Sequence, residues 1–208
     1  MRFFYAVRRK FPRIHFERKF NKHSCTRLNL CCGAQKIPGY IGVDISQGAD
    51  LMIDLARYDL PIHDNSMDSV ICISAINYFT RKRALEIVGE VYRVIKPGGV
   101  TRFAVQDLES IAKRYVEKDN NFFFQKLPDG RERFEGPTIG DKFAAWFYGY
   151  VSGNSPCRYF YDFESLAFIF NLVGFRTVEK KEYMQSQLEN IHLIDNRPDQ
   201  MFFLEAIK

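Results

Sequence analysis

The chain has 208 residues with 20 Phe and 11 Tyr, 46% hydrophobic residues and a net charge of +5 at neutral pH, a composition that supports a buried core and excludes a disordered chain. No apolar run approaches the roughly 20 residues needed to span a bilayer, and Arg8, Arg9 and Lys10 interrupt the only early apolar stretch, which excludes a secretory signal there. Five cysteines (Cys25, Cys31, Cys32, Cys72, Cys157), odd in number and without paired-ligand spacing, argue against a disulfide framework or a structural metal and for a reducing, cytoplasmic setting.

The charge is unevenly placed. Residues 1–27 hold nine Arg or Lys against one acid, Glu17, a net charge of +8, so the remaining 181 residues are net −3. This basic arm interleaves its cations with Phe3, Phe4, Val7, Phe11, Ile14, Phe16 and Phe20, and Pro12 limits it to two short helical segments. Such a segment suits covering one edge of a core, and also a peripheral contact with an anionic membrane through residues 1–22. For nucleic-acid contact the arm is the only support.

From residue 28 the pattern changes to that of a domain running to 208. Short apolar runs at 28–31, 40–44 and around Leu51, Met52 and Ile53 read as strands, and 69–74 is β-branched and continuous, as a strand buried on both faces should be. A helix is expected over 81–96, with Ala84, Val88, Val91, Tyr92 and Ile95 on one face and Thr80 as N-cap; Pro97-Gly98-Gly99 ends it and leads into a strand over 100–105. Asp107 caps a following helix through Leu108, Ile111 and Tyr115. Residues 119–140, polar and punctuated by Gly and Pro, read as a loop or insertion. Helices over 142–151 and 163–173, the second closed by Gly174, precede strands at 175–178 and 201–207. This alternation predicts a doubly wound, mostly parallel, Rossmann-like α/β domain. Only eight residues separate Cys31 from Tyr40, so the first crossover is a loop or a single helical turn.

In such sheets a ligand sits beyond the carboxyl ends of the strands, which directs attention to Cys31-Cys32-Gly33, Asp44, Asp54, Ser74-Ala75 and Gln106-Asp107. A glycine at a strand end lets backbone approach a ligand, an acid closing the second strand can accept both hydroxyls of a ribose, and one near the third can accept from an exocyclic amine. No Gly-Lys-Ser/Thr and no complete Gly-x-Gly-x-x-Gly is present, so a nucleoside without phosphates fits better than a nucleotide.

Leu28-Asn29-Leu30-Cys31-Cys32-Gly33, Pro38-Gly39-Tyr40-Ile41-Gly42-Val43-Asp44, Asp54-Leu55, Leu60-Pro61-Ile62-His63-Asp64-Asn65-Ser66-Met67-Asp68, Arg93-Val94-Ile95-Lys96-Pro97-Gly98-Gly99 and Gln106-Asp107-Leu108 occur in that order. Together they resemble the class I S-adenosylmethionine-dependent methyltransferases, and within them small bacterial proteins often associated with surface-polysaccharide synthesis. The resemblance implies S-adenosylmethionine as cofactor, with Leu30, Cys31, Cys32 and Gly33 along its methionine part. It further implies Asp44 and Ile45 at the ribose, Asp54 and Leu55 near the adenine, and Ser74 and Ala75 on the pocket floor. The acceptor it implies is a small molecule or a glycan methylated on O or N. Three positions depart from the subgroup pattern: Cys31 replaces its first Gly, Asn77-Tyr78 its Glu-His, and Cys157 its His. A catalytically silent protein that kept the fold, either binding S-adenosylmethionine or serving only as a scaffold, is therefore a rival reading, and a nucleic-acid methyltransferase a second.

Methyl transfer needs a positioned acceptor more than a nucleophile from the enzyme. Asp107 is the candidate general base or acceptor-orienting residue, with helix capping as its alternative role, and His63 is a second candidate. Trp146, Phe147, Tyr148, Tyr150, Tyr159 and Tyr161 suit either a sugar-binding floor or helix packing.

Overall fold

The computed structural model describes residues 25–149, 151–152 and 155–208, so Tyr150 and the basic arm up to residue 24 lie outside the described residues. In chain order the elements are β1 (Arg27–Leu30), β2 (Ile41–Asp44), β3 (Leu51–Met52), β4 (Met67–Ile73), α1 (Arg81–Val94), β5 (Ile95–Gln106), α2 (Leu108–Val116), α3 (Asn120–Phe123), α4 (Ile139–Tyr148), β6 (Val151–Ser152), β7 (Ser155–Pro156), α5 (Phe163–Val173), β8 (Thr177–Lys181), α6 (Ile191–Ile194) and β9 (Met201–Ile207). Seven strands form one sheet in the order β3-β2-β1-β4-β5-β9-β8. The first five are parallel, and β9 runs antiparallel to β5 and β8. This is the doubly wound, mostly parallel sheet expected from the sequence. No helix among the described residues is long and apolar enough to cross a membrane.

The unbroken apolar run of β4 has its cause in the two layers around it. Val70 and Cys72 join the main core under α1 and α5, where Phe103 meets Phe170 edge to face with ring centroids 5.0 Å apart. Ile71 points the other way, against Ile37, Tyr40 and Ile194.

Helix α1 begins where expected, with the Thr80 hydroxyl accepting from the Arg83 amide and Ala84, Ile87, Val88, Val91 and Val94 buried. It stops two residues early. Ile95 is already extended and pairs with Met67, so β5 passes straight through Pro97-Gly98-Gly99, and a register shift between Met67 and Ser69 absorbs the extra length. Gly99 is needed there, because a Cβ would stand 2.9 Å from both the Asp68 carbonyl and Ile95 Cγ2. Helix α5 ends at Gly174, whose φ of 114° suits glycine.

Residues 119–140 hold more order than their polar sequence suggests. Asp119 caps the single-turn α3, and Phe122, Phe123 and Phe134 are buried with Ile111 and Trp146 in a second core beyond the end of β5. Thr138 and Asp141 form a reciprocal capping box that starts α4 at Ile139 rather than at 142.

Residues 31–40 contain no helix, so the first crossover is a loop, and the sheet face bearing Ile71, Ile73, Arg102 and Ala104 needs another cover. The connection 182–200 between β8 and β9 provides it. Leu188, Ile191 and Ile194 pack on Ile37, Tyr40 and Ile71, and Tyr183 packs beside Ala104 and Phe203. Beneath this strap lies Arg102, with no exposed surface. Its Nε and Nη2 donate to the two oxygens of Asp195 at 2.7 and 2.6 Å. The remaining N–H groups reach Glu205 and the Gln185 carbonyl from Nη1, and the Glu182 carbonyl from Nη2. All five guanidinium donors are thus satisfied, as burial of this group requires.

Candidate functional site

Between β1 and β4 the strand order reverses: one half of the sheet grows outward through β2 and β3, the other through β5. Crevices form at such switch points, beyond the carboxyl ends of the strands. A cavity of about 300 Å³ opens here, at the small end of the range for small-ligand sites. Cys31, Cys32, Gly33 and Gln35 wall it from the β1 side, Ile73, Ser74 and Tyr78 from the β4 side, and Asn196 and Arg197 from the strap.

Both strand ends turn sharply. Cys31 has φ 54° and Ser74 φ 58°, left-handed conformations that cost a residue with a Cβ on the order of 1 kcal/mol each. The Ser74 amide donates to the Ala104 carbonyl at 2.7 Å, which holds that turn against β5. Gly33 is also left-handed at φ 54°, and a Cβ built on it would meet nothing within 4 Å, so the space beside this backbone is open.

The loop after β1 is tied down by β2. Asp44 Oδ2 accepts from the Gly33 amide at 2.9 Å and Oδ1 from the Ser46 amide at 2.8 Å. The Cys32 amide donates to the Val43 carbonyl at 3.2 Å, and that of Gln35 to the Cys32 carbonyl at 2.9 Å. Gly42 permits the Cys32 thiol to lie over β2, since a Cβ there would sit 2.7 Å from its Sγ. A hydrogen bond with Cys72, burial and the nearby Asp44 carboxylate push the Cys31 thiol well up. Cys31 therefore presents a neutral side chain to the cavity.

The structure thus brings Cys31, Cys32, Gly33 and Ser74 to the cavity walls and sets the other expected residues around them. Leu30, Leu55 and Ala75 are buried in the core. Asp44 stands behind Gly33 as a clasp, with acceptor capacity left on each oxygen. Ile45, directly after Asp44, is 64% exposed, and Met52, the register partner of Asp44, is 58% exposed; neither lines the cavity. Asp54 accepts from the Ala56 amide at 2.9 Å and faces Arg57 at 3.3 Å, one strand further out.

Asp107 caps α2 through Oδ1, which accepts from the Glu109 and Ser110 amides, while Oδ2 lies 3.7 Å from Lys180 Nζ. His63 is exposed, and its neighbour Asp64 pairs with Arg93. Of the aromatic candidates, Trp146 and Tyr161 are buried, Phe147 packs in the second core and Tyr159 against the main one, and Tyr148 is exposed. Two of the three departures from the family pattern meet: Asn77 Nδ2 donates to Cys157 Sγ at 2.9 Å, and Tyr78 beside them lines the cavity. Sequence reasoning missed Gln35, Ile73, Asn196 and Arg197. Asn196-Arg197-Pro198-Asp199 is a run of turn-forming residues, but nothing in it indicates the strand end to which it returns.

Residues 39–103 match the family model described as a methyltransferase domain. A ubiquinone/menaquinone biosynthesis C-methyltransferase of Desulfotalea psychrophila is 32% identical over 142 residues, covering 66% of this chain and 51% of that protein. The chain thus spans about half the length of this curated relative. Among solved structures, the complex of the Haloferax volcanii Trm112 methyltransferase activator with a candidate methyltransferase aligns with a TM-score of 0.52 at 14% identity, over 92% of this chain and 86% of that one. An S-adenosylmethionine-dependent methyltransferase of Mesorhizobium loti aligns with a TM-score of 0.50 at 12% identity, over 93% and 97%. The fold of this chain is that of the class I methyltransferases.

Proposed function

We propose that the chain transfers a methyl group from S-adenosylmethionine to a small-molecule or glycan acceptor. The observation that carries this reading is the cavity at the β1–β4 switch point, with an open glycine at its wall and an acid clasped behind that glycine. These features fit a nucleoside: Gly33 offers bare backbone, Asp44 a doubly accepting carboxylate for a ribose, and the exposed Ile45 beside it an apolar contact for a flat ring. When bound, the sulfonium would supply an activated methyl group, whose carbon the acceptor attacks in line while the thioether of S-adenosylhomocysteine leaves.

The chain's own contribution is placement. Cys31, held neutral, and Ile73 narrow the cavity on its two sides, which favours one approach direction for the acceptor. Asp107, at the carboxyl end of β5, orients the acceptor or receives its proton through Oδ2, the oxygen not used by the α2 amides. The D. psychrophila relative is named a C-methyltransferase, which favours an acidic carbon as a second class of acceptor.

Calorimetric titration with S-adenosylmethionine and S-adenosylhomocysteine tests the reading. Micromolar affinity that Asp44→Ala removes, while unfolding stays cooperative, is the expected result. No binding by a well-folded wild type would leave the scaffold reading in its place.

A further inference from the structure

The amino-acid end of an S-adenosylmethionine-type cofactor carries a carboxylate, and the β1 loop is poorly equipped to receive it. A helix after the first strand would aim its N-terminal amides at an anion there, but residues 31–40 form none. The loop's amides do not replace it. Those of Cys32, Gly33 and Gln35 already donate to the Val43 carbonyl, the Asp44 carboxylate and the Cys32 carbonyl. Asp44 itself adds negative charge on that side, and Lys36, the cation of the loop, is paired with Asp50 at 2.8 Å.

A cation reaches the cavity from elsewhere. Arg197 lines it beside Cys31, Cys32 and Gly33, although it lies in the strap far along the chain. Three arrangements hold it there. Asp195, two residues before it, is locked in the buried pair with Arg102. Gln35 Nε2, from the β1 loop, donates to the Leu193 carbonyl at 2.6 Å and closes the strap onto the cavity rim. Asn196 Oδ1 accepts from Arg197 Nε at 3.0 Å, which sets the attitude of the guanidinium. The backbone of Arg197 is left-handed, φ 50°, and its carbonyl accepts from the Gln200 and Met201 amides. A non-glycine residue held in that conformation at a cavity wall is a pattern common at ligand sites.

We propose that Arg197 is the specificity residue for the cofactor's amino-acid end, binding its carboxylate by charge-assisted hydrogen bonds. The strap thereby supplies the positive pole that a first-crossover helix would otherwise provide. This inference rests on the functional reading above and adds a residue and a ligand group to it.

The test compares two ligands on the intact chain: S-adenosylhomocysteine, and 5′-methylthioadenosine, the same nucleoside thioether without the amino-acid end. Arg197 is exposed on a turn, so Arg197→Gln is expected to keep the wild-type melting temperature. It should weaken S-adenosylhomocysteine by about ten- to a hundredfold and leave 5′-methylthioadenosine within about twofold of wild type, with Arg197→Lys recovering part of the loss. Unchanged affinity for S-adenosylhomocysteine in Arg197→Gln overturns the assignment. An equal loss for both ligands also overturns it, because Arg197 would then shape the cavity without recognising the carboxylate. If wild type binds neither ligand, it is the underlying functional reading that fails.

Discussion

Replacing Asp195 by Asn removes one charge from a pair that has no exposed side-chain surface on either partner. Asp195 accepts from Arg102 at 2.7 and 2.6 Å and from the Met184 amide at 2.8 Å. An Asn of the same shape keeps one acceptor oxygen and turns the other position into a donor facing donors. Breaking a buried pair in this way costs about 3–5 kcal/mol, mostly from the stranded charge. Glu205, whose carboxylate lies 3.3 Å from Arg102 Nη1, stays as a partial counter-charge and places the expectation near the lower bound, about 3 kcal/mol. With a urea slope of about 1–3 kcal/mol per molar, the unfolding midpoint followed by far-ultraviolet circular dichroism should fall by about 1 M or more. Affinity for S-adenosylhomocysteine should fall with it, because the strap carries Asn196 and Arg197. Combining Asp195→Leu with Arg102→Met and Glu205→Gln should recover much of the stability, since no charge of the cluster is then left buried. A loss below about 0.5 kcal/mol for Asp195→Asn would refute the reasoning, and would mean that Ile191, Ile194 and Leu188 hold the strap unaided.

Three further outcomes follow from the same geometry. Gly42→Ala places a methyl 2.7 Å from Cys32 Sγ and 3.2 Å from Asp50 Oδ2, and should cost about 1–3 kcal/mol in thermal unfolding while weakening cofactor binding; an unaltered melting temperature would contradict the close packing. The Cys31, Cys32 and Cys157 thiols are all raised above the ordinary value of 9.0, the first chiefly by its hydrogen bond to Cys72 and the others by burial. Above that value the unfolded chain releases thiol protons that the native one keeps. Stability is therefore fully present below about pH 9 and lost as pH rises toward the folded values. Melting temperatures measured from pH 7 to 10.5 should fall at the alkaline end, less steeply in Cys157→Ser, and a flat profile would contradict the shifts. Asp107→Asn keeps an acceptor for the Glu109 and Ser110 amides, whereas Asp107→Ala should lose about 1 kcal/mol of capping. A drop in kcat of about a hundredfold in Asp107→Asn at unchanged stability supports a role at the acceptor, and unchanged turnover leaves Asp107 a cap.

Much of the scaffold was legible because its signals are local. The run 69–74, the stripe of α1 and the caps at Thr80, Asp107 and Gly174 each depend on residues within a few positions of one another. The strand ends were legible too, and four of the residues expected around the cofactor, Cys31, Cys32, Gly33 and Ser74, share the cavity wall. The end of α1 was misjudged because Ile95 continues the apolar stripe of the helix although its backbone has already turned extended. The 119–140 segment hid its order because its anchors, Phe122, Phe123 and Phe134, follow no helical or strand period. The strap was out of reach for a different reason. Its register is set by an ion pair between residues 93 positions apart, and an Arg inside a strand reads as a solvent-facing charge until the cover above it is known.

β9 follows every other element of the described chain, yet it lies inside the sheet, between β5 and β8. The strap that leads into it closes the cavity, joining Gln35 to the carbonyl of Leu193 across 158 positions. A pocket closed over such a distance does not exist in a half-folded chain, because loop closure precedes any return from the contacts it allows. A ligand seated there favours the native state over every form in which the strap has come away, by RT ln(1 + [L]/Kd). A chain whose site is filled is therefore shifted toward the closed form, and one whose site is empty stays more open to unfolding and proteolysis.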